Sequence, residues 1–165
     1  MQEKKMSFEP TIPAITAADV KARARMKFLP TLFGSAYLRG ESAVYSLAQY
    51  YSEDYQGGSW RFAELSCGGG FMYPDGDDFY QVDVQGNGFS GRMSAEVFGM
   101  FITSMVLNRL SWQVYEAGEQ ARAKNRQVLY DNQQALCDKL IRHQEFLKAY
   151  ADQHPESHQF FRAID

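Results

Sequence analysis

Residues 55–94, YQGGSWRFAELSCGGGFMYPDGDDFYQVDVQGNGFSGRMS, hold most of the glycines of the chain and decide its predicted fold. Within this stretch apolar and polar residues alternate, and each run ends at glycine, proline or an Asp- or Asn-containing turn, which is typical of short strands. We predict four strands, at 59–66, 71–74, 79–85 and 89–93. Joined by these turns, they are expected to form a four-stranded antiparallel meander.

Residues 86–91 (GNGFSG) match the GxGxxG pattern of dinucleotide-binding proteins. That fingerprint needs its glycines between a strand and a helix, followed by a parallel strand that ends in an acid about 20 residues further on. Here Asn87 and Gly88 are instead typical of a type I′ hairpin turn. Gly91 falls inside the returning strand, and no strand follows the helix that starts at Ser94. We therefore predict a hairpin at this position rather than a phosphate-binding loop.

The chain changes to helical spacing after residue 94. Ser94 is a favourable N-cap, and apolar residues surround the following helix on nearly every side. Such a helix is normally buried, so it is predicted to lie across the sheet. We expect Gly118 to break it, the polar residues 119–127 to form an exposed linker or a solvated helix, and a last long helix to span residues 131–153.

Ahead of the strands, the sequence predicts an arm and two helices. Residues 1–15 are expected to form the arm, and Thr16 to cap a short helix that runs to Met26 and ends at Pro30. A second helix fits residues 41–51, which carry one apolar stripe. The predicted fold class is thus α+β, with the four-stranded antiparallel β-meander packed against several α-helices. The arm and short helix occupy residues 1–25, and a single domain occupies residues 26–165.

The charge balance argues against two simple ways of acting on DNA. The 165 residues include 17 basic and 20 acidic side chains, for a formal net charge of −3. A protein that imitates DNA would need a dense negative charge, because the duplex carries one charge per ~1.7 Å of its axis. A typical nucleic-acid binder would carry a basic surplus, so no strong nucleic-acid binding is expected. A weak DNA-binding module that uses the basic residues of 21–27 and 124–126 stays an alternative.

Nothing in the sequence indicates secretion or membrane insertion. The first ten residues lack the apolar run of a signal peptide. The most apolar window, residues 97–107, is interrupted and shorter than the ~20 residues that span a bilayer. Cys67 and Cys137 are isolated, which favours two free thiols over a disulfide. We expect a cytoplasmic protein that does not associate with membranes.

The chemically reactive side chains do not form a recognisable active site. Asp75, Asp77 and Asp78 lack the spacing and the distal Glu of a calcium loop, so a turn is favoured over a metal site. Cys67 has no base that the sequence identifies, and His143 lies on an apolar helical stripe, which favours a hydrogen-bonded core histidine. We predict no catalytic residue, no cofactor and no metal. A small nucleotide- or metal-binding enzyme that uses the glycine-rich region is the alternative.

Several short strings, taken in order and spacing, resemble the ArdB/KlcA-type antirestriction proteins that plasmids and other mobile elements carry. The resemblance covers about residue 26 to residue 165. The strings are FLP at 28–30, FG at 33–34, RGES at 39–42, YxGGxW at 55–60, EL at 64–65, GNGFxG at 86–91, SA at 94–95 and RAID at 162–165.

This resemblance implies a non-enzymatic protein that protects incoming mobile-element DNA, from a plasmid or a pathogenicity island, against type I restriction-modification systems. With a net charge of −3, such a protein is expected to act by a route other than imitating DNA. Its expected partner is the type I complex or an associated host factor, contacted directly or indirectly. The candidate partner-binding residues are polar or amphipathic and lie in predicted loops or at helix ends: Arg39, Glu41, Tyr55, Asp75, Asp77 and Asp78.

Overall fold

The structure is a computed structural model that describes residues 13–165. Its strands are β1 (Ala17–Asp19), β2 (Trp60–Leu65), β3 (Gly70–Pro74), β4 (Phe79–Val84) and β5 (Phe89–Ser94). Its helices are α1 (Arg25–Phe33), α2 (Tyr37–Tyr51), α3 (Ala95–Ala123), α4 (Gln127–Asp152) and α5 (Ser157–Ile164). Two 3-10 turns, Ala22–Ala24 and Gly34–Ala36, precede α1 and α2.

The strands form two antiparallel sheets rather than one. β1, β2 and β3 make a three-stranded sheet in which Phe62 of β2 pairs with Met72 of β3. β4 and β5 make a separate hairpin in which Val82 pairs with Gly91. The predicted α+β class is confirmed, but the predicted four-stranded meander is wrong, because β3 and β4 do not pair and β1 adds a fifth strand.

A helix occupies the edge of β3 where the meander would need β4. The Thr103 hydroxyl of α3 accepts a hydrogen bond from the Met72 backbone N–H at 3.1 Å. The same hydroxyl donates to the Met72 carbonyl at 3.3 Å. One turn earlier in α3, a Cβ at Gly99 would clash with the Met72 carbonyl and with Tyr73. Glycine lets the helix approach the strand, and threonine satisfies the edge groups that a neighbouring strand would otherwise bond.

The segment predicted as the first helix begins with a strand instead. Ala17 of β1 pairs with Leu65 of β2, and the Thr16 carbonyl accepts a hydrogen bond from the Ser66 backbone N–H at 2.9 Å. These contacts to the outer edge of β2 replace the helix that Thr16 was expected to cap. Residues 1–12, the larger part of the predicted arm, lie outside the described residues, and the domain division at residue 26 stays a prediction.

Pro30 lies inside α1, where it was expected to end a helix. Proline removes one backbone hydrogen bond, and the next bond of the helix is supplemented by the Thr31 hydroxyl, which donates to the Lys27 carbonyl at 2.9 Å. The helix ends instead at Gly34, which has φ +60°. Burial of the apolar side chains around the proline stabilises the helix in its place; they are Phe28, Leu29, Leu32 and Phe33.

α3 is longer than predicted and is the central helix of the fold. The Ser94 hydroxyl caps it by accepting from the Val97 N–H at 3.4 Å, as predicted. Gly118 does not break it: the residue is buried against α4, and a Cβ there would lie at an ordinary packing distance of 3.4 Å from Gln133. The polar residues expected to be a linker or a solvated helix are the end of α3, a tight turn in which Asn125 has φ +55°, and the start of α4.

The remaining elements pack around α3. α2 lies on one side, with Tyr51 and Phe101 rings 5.1 Å apart, and α4 lies antiparallel on the other. His143 of α4 is buried and its Nδ1 lies 2.8 Å from the Leu32 carbonyl of α1, which confirms the predicted core histidine. Burial lowers the pKa of His143. Both cysteines are free thiols, as predicted.

The Asn-Gly hairpin is confirmed, with a different turn. Val84 pairs with Phe89 across a four-residue loop in which Gly88 has φ +72° and Asn87 is not left-handed. Asn87 instead uses its side chain: its amide donates to the carbonyls of Ala163 at 3.0 Å and Asp165 at 2.9 Å. The asparagine thus joins the hairpin to the end of α5.

No helix within residues 13–165 combines the length and the apolar content that crossing a membrane requires.

Candidate interaction site

The predicted partner-binding residues lie in two separate places. Arg39 is on α2, and its guanidinium lies 3.4 Å from the Gln113 side chain of α3. Residues 75–78 form the loop between β3 and β4, beside Glu96 at the start of α3. Glu96 and Gln113 are about 25 Å apart along α3, at 1.5 Å per residue. The structure therefore does not bring the predicted residues together as one site.

Two of the predicted residues support neighbouring side chains. Tyr55 is only 8% exposed, and its hydroxyl accepts a hydrogen bond from the Trp60 indole N–H at 2.9 Å. Glu41 accepts a hydrogen bond from the Tyr45 hydroxyl at 3.1 Å. Burial and the Glu41 carboxylate together raise the pKa of Tyr45 to about 12.

The β3–β4 loop forms one wall of a cleft of about 400 Å³. The facing wall is the first turn of α3, and strands β2 and β3 contribute the side chains between them. We call this the acidic cleft; its lining residues are Arg61, Tyr73, Gly76, Asp77, Asp78, Phe79, Ser94, Ala95 and Glu96.

Arg61 is the cation of the acidic cleft. It pairs with Asp19 of β1, and its other terminal nitrogen lies 4.0 Å from the Asp75 carboxylate. Its guanidinium also lies 5.8 Å from the centre of the Tyr73 ring. The Tyr73 hydroxyl donates to Asp19, and burial, followed by this carboxylate, raises the pKa of Tyr73. This cluster ties the three strands of the first sheet together at the cleft.

Glu96 is held in position by the end of α4. Its carboxylate accepts a hydrogen bond from the Tyr150 hydroxyl at 2.9 Å and lies 3.3 Å from the Nε2 of His154. The hydrogen bond with His154 lowers the pKa of Glu96 against the opposing effect of burial, and the same bond raises the pKa of His154. Burial, then Glu96, raises the pKa of Tyr150 to about 12. Glu96 is therefore a fixed negative charge at the cleft wall.

The turn after α4 completes this wall. The Glu156 carboxylate accepts two hydrogen bonds from Ser94, one from the backbone N–H at 2.9 Å and one from the side-chain hydroxyl at 2.5 Å. The Glu156 N–H in turn donates to the Nδ1 of His154 at 3.1 Å. Both ring nitrogens of His154 are therefore engaged in this wall.

The acidic cleft carries carboxylates that the described chain does not pair. Within residues 13–165, Asp77 and Asp78 have no cation at ion-pair distance, and Glu96 adds a third carboxylate. No three potential metal ligands converge anywhere in that part of the chain. An exposed Phe79, which stacks under Arg92 at 4.6 Å, lies at the rim.

Sequence reasoning found the acidic loop of this cleft and missed the residues that surround it. The alternating pattern predicted that Arg61 and Tyr73 lie on two strands. It did not show that their side chains lie on the same face of the sheet as Asp19. Glu96 was visible as an acid in the first turn of a helix. Its contacts to Tyr150 and His154 join residues more than 50 positions apart, which no local pattern reports.

Comparison with known proteins gives a consistent result. Residues 53–165 match the family model described as antirestriction protein. The putative antirestriction protein YubI of Escherichia coli K12 is 40% identical over 141 residues, which cover 86% of this chain and 89% of that protein. The antirestriction protein KlcA of Escherichia coli is 35% identical, with 92% of this chain and 95% of that protein covered. The match to KlcA covers 152 residues, which is more of the chain than residues 26–165, the range over which the sequence motifs showed the resemblance.

A solved structure matches the fold over most of the chain. That structure comes from a study of the KlcA and ArdB proteins. Those proteins have a novel fold and show antirestriction activity against type I DNA restriction systems in vivo but not in vitro. The match has a TM-score of 0.75 at 34% sequence identity and covers 92% of this chain and 95% of that structure.

Proposed function

Because the chain belongs to the antirestriction protein family, we propose that it protects incoming mobile-element DNA from the type I restriction-modification systems of a host cell. The observation that carries this proposal is the family match over residues 53–165, together with the similarity of the fold to the KlcA and ArdB proteins. The protein acts without catalysis, and its place of action is the cytoplasm, where incoming DNA meets the restriction enzymes.

The protein reduces restriction by a route other than imitating DNA. A net charge of −3 over 165 residues is far below the charge density of a duplex of comparable size. The activity of the KlcA and ArdB proteins in vivo but not in vitro supports a requirement for a further cellular component. The partner is accordingly the type I complex as it exists in the cell, or a host factor associated with it.

The acidic cleft is the proposed contact for basic side chains of that partner. Asp77 and Asp78 are exposed and contact no cation within the described residues, and Arg61 holds Asp75 at its side. A charged rim of this kind contributes to the rate and specificity of association. Arg39, on α2, belongs to a separate surface, and Glu41 and Tyr55 support neighbouring aromatic side chains.

The test is transfer of unmodified phage or plasmid DNA into cells that carry a type I restriction system, with and without the protein. We expect transfer to rise toward the level measured with modified DNA, which serves as the control. Equal restriction in both strains, with the protein present at a measured level, would contradict the proposed function.

The role of the acidic cleft is tested in the same assay with the double variant Asp77→Asn and Asp78→Asn. We expect at least a tenfold loss of protection with an unchanged melting temperature, because both side chains are exposed. The matched control is Glu116→Gln with Asp131→Asn, two exposed acids on α3 and α4 that lie away from the cleft. Equal losses in both double variants would show that only total charge matters.

A further inference from the structure

The side of the α3–α4 hairpin that faces away from β3 carries an exposed apolar groove of about 360 Å³. Three large side chains in it are unusually open to solvent: Trp112 is 61% exposed, Tyr115 48% and Ile141 46%. Contiguous exposed apolar surface of this kind typically marks an interaction site. The groove is lined by Asn108, Ser111, Trp112 and Tyr115 of α3 and by Cys137, Ile141 and Gln144 of α4.

A larger depression of about 790 Å³ lies where α4 meets α5. Lys148, His158 and Arg162 face it, and Asp165 is its one acidic lining residue. Within residues 13–165, neither Lys148 nor Arg162 has a carboxylate at ion-pair distance. This depression therefore carries a surplus of basic side chains, and Lys148 and Arg162 form no ion pair within the described part of the chain.

The two depressions lie on one stripe of α4. Cys137, Ile141, Gln144 and Lys148 are spaced i, i+4, i+7 and i+11, so their side chains share a helix face. At 1.5 Å per residue this stripe is about 17 Å long, or three turns of a helix. The apolar groove and the cationic depression are thus two ends of one surface, which we call the α3–α4 groove.

We propose that the α3–α4 groove binds an amphipathic helix of a partner protein, with the apolar face on Trp112, Tyr115 and Ile141 and acidic residues on Lys148 and Arg162. A channel between two antiparallel helices has a shape that can accept a third helix. Such a helix binds through apolar side chains on one of its faces. The acids of the partner follow its apolar anchors by about two turns, which is the separation of Ile141 and Lys148.

Charge argues for a protein and against nucleic acid as the occupant. Exposed aromatic residues beside basic residues also suit single-stranded nucleic acid. However, Asp138 and Glu145 lie three residues before and four residues after Ile141, at the rim of the apolar end. Phosphates that follow the groove would meet these two carboxylates, whereas a helix with acids at one end only would not.

The apolar end of this surface is distinct from the acidic cleft, because Trp112 and Glu96 are about 24 Å apart along α3. The cationic end adjoins the turn after α4 that supports the cleft wall. The variants that test this proposal leave Asp77 and Asp78 unchanged.

The experiment places a photo-reactive p-benzoylphenylalanine at position 141 of the full chain and irradiates restricting cells that produce it. We expect an adduct with another protein whose linked peptide carries apolar residues at helical spacing and acids about two turns away. A synthetic peptide of that mapped sequence should then bind the purified protein. Both the adduct and peptide binding should fall at least tenfold in the double variants Trp112→Ser with Tyr115→Ser and Lys148→Glu with Arg162→Glu.

The matched control is Val128→Ser with Lys124→Glu, an exposed apolar and an exposed basic residue at the turn between α3 and α4. It should leave the adduct and the affinity unchanged, and far-ultraviolet circular dichroism verifies that every variant is folded. An adduct with nucleic acid or with a second copy of this chain overturns the proposal. So does a linked peptide without acids, or binding that Lys148→Glu with Arg162→Glu does not weaken.

Protection of DNA is scored separately in the same cells. A protein that protects DNA but gives no adduct overturns the groove proposal alone. A protein that gives the charge-dependent adduct but does not protect DNA overturns the proposed function alone.

Discussion

The edge of β3 and the loop of the β4–β5 hairpin both contact a helix, but through different kinds of surface. At the β3 edge, Thr103 and Met72 are fully buried and Gly99 allows backbone contact. At the hairpin loop, Asn87 is exposed and donates to carbonyls at the end of α5. A buried polar group without a partner costs far more than an exposed one. The β3 edge therefore decides the topology, whereas the hairpin contact only positions the last helix.

Gly99→Val, at the β3 edge, should cause the largest loss of stability. The new side chain would meet the Met72 carbonyl and the Tyr73 backbone, which cannot move without opening the β3 edge. We expect a loss of about 3 kcal/mol or more in the free energy of unfolding, measured by urea titration. Gly118→Ala in the same helix is the control, because its Cβ has room and alanine favours helix by up to ~1 kcal/mol. Equal losses in the two variants would contradict close packing at Gly99.

Thr103→Val should have the next largest effect. It keeps the shape of the side chain and removes the hydroxyl that serves both the N–H and the carbonyl of Met72. We expect a loss of about 1–3 kcal/mol, with faster amide exchange at Met72. Thr31→Val, which removes an exposed hydroxyl from α1, should cost less. A stability equal to wild type would show that the β3 edge does not need this hydroxyl.

Asn87→Ala tests the hairpin loop. Loss of its hydrogen bonds to Ala163 and Asp165 should cost about 1 kcal/mol and raise hydrogen exchange in α5 more than in α3. Asn132→Ala, on the exposed side of α4, is the control. Uniform exchange changes across the protein would mean that α5 is not held separately by this loop.

The smallest expected effect concerns pH. The pKa of His154 is raised by Glu96, so its contribution to stability is complete below the usual value of 6.5 and is lost as pH rises through the raised pKa. The pKa of Glu96 is lowered, so its contribution is present above the usual value of 4.5 and is lost as pH falls through the lowered pKa. His154→Gln should flatten the decline of the unfolding free energy on the alkaline side. An unchanged pH profile would contradict this coupling.

Local patterns predicted most of the elements. Alternation gave β2 to β5 within two residues of their observed bounds, and Ser94 gave the start of α3. The patterns failed at Pro30 and Gly118, which were expected to interrupt helices. In both cases tertiary packing outweighs an unfavourable local preference: Pro30 lies among buried side chains, and Gly118 is buried where α3 packs against α4.

The candidate sites were less accessible from sequence. The acidic loop was found because Asp75, Asp77 and Asp78 are adjacent in the chain. Arg61 and Glu96 were missed because they reach the cleft from different elements. The six predicted partner residues were chosen for polarity at loops and helix ends, and polarity alone does not show that Arg39 and the acidic loop lie about 25 Å apart.

The sequence by itself determined the hairpin at residues 86–91, the cap at Ser94, the buried character of α3 and the resemblance to antirestriction proteins. Only the tertiary structure decided that the strands divide into two sheets. The reason is that a strand edge needs a hydrogen-bonding neighbour but does not specify which one. The contact that settles it joins Met72 to Thr103, 31 residues away, and becomes possible only when α3 already lies against β3.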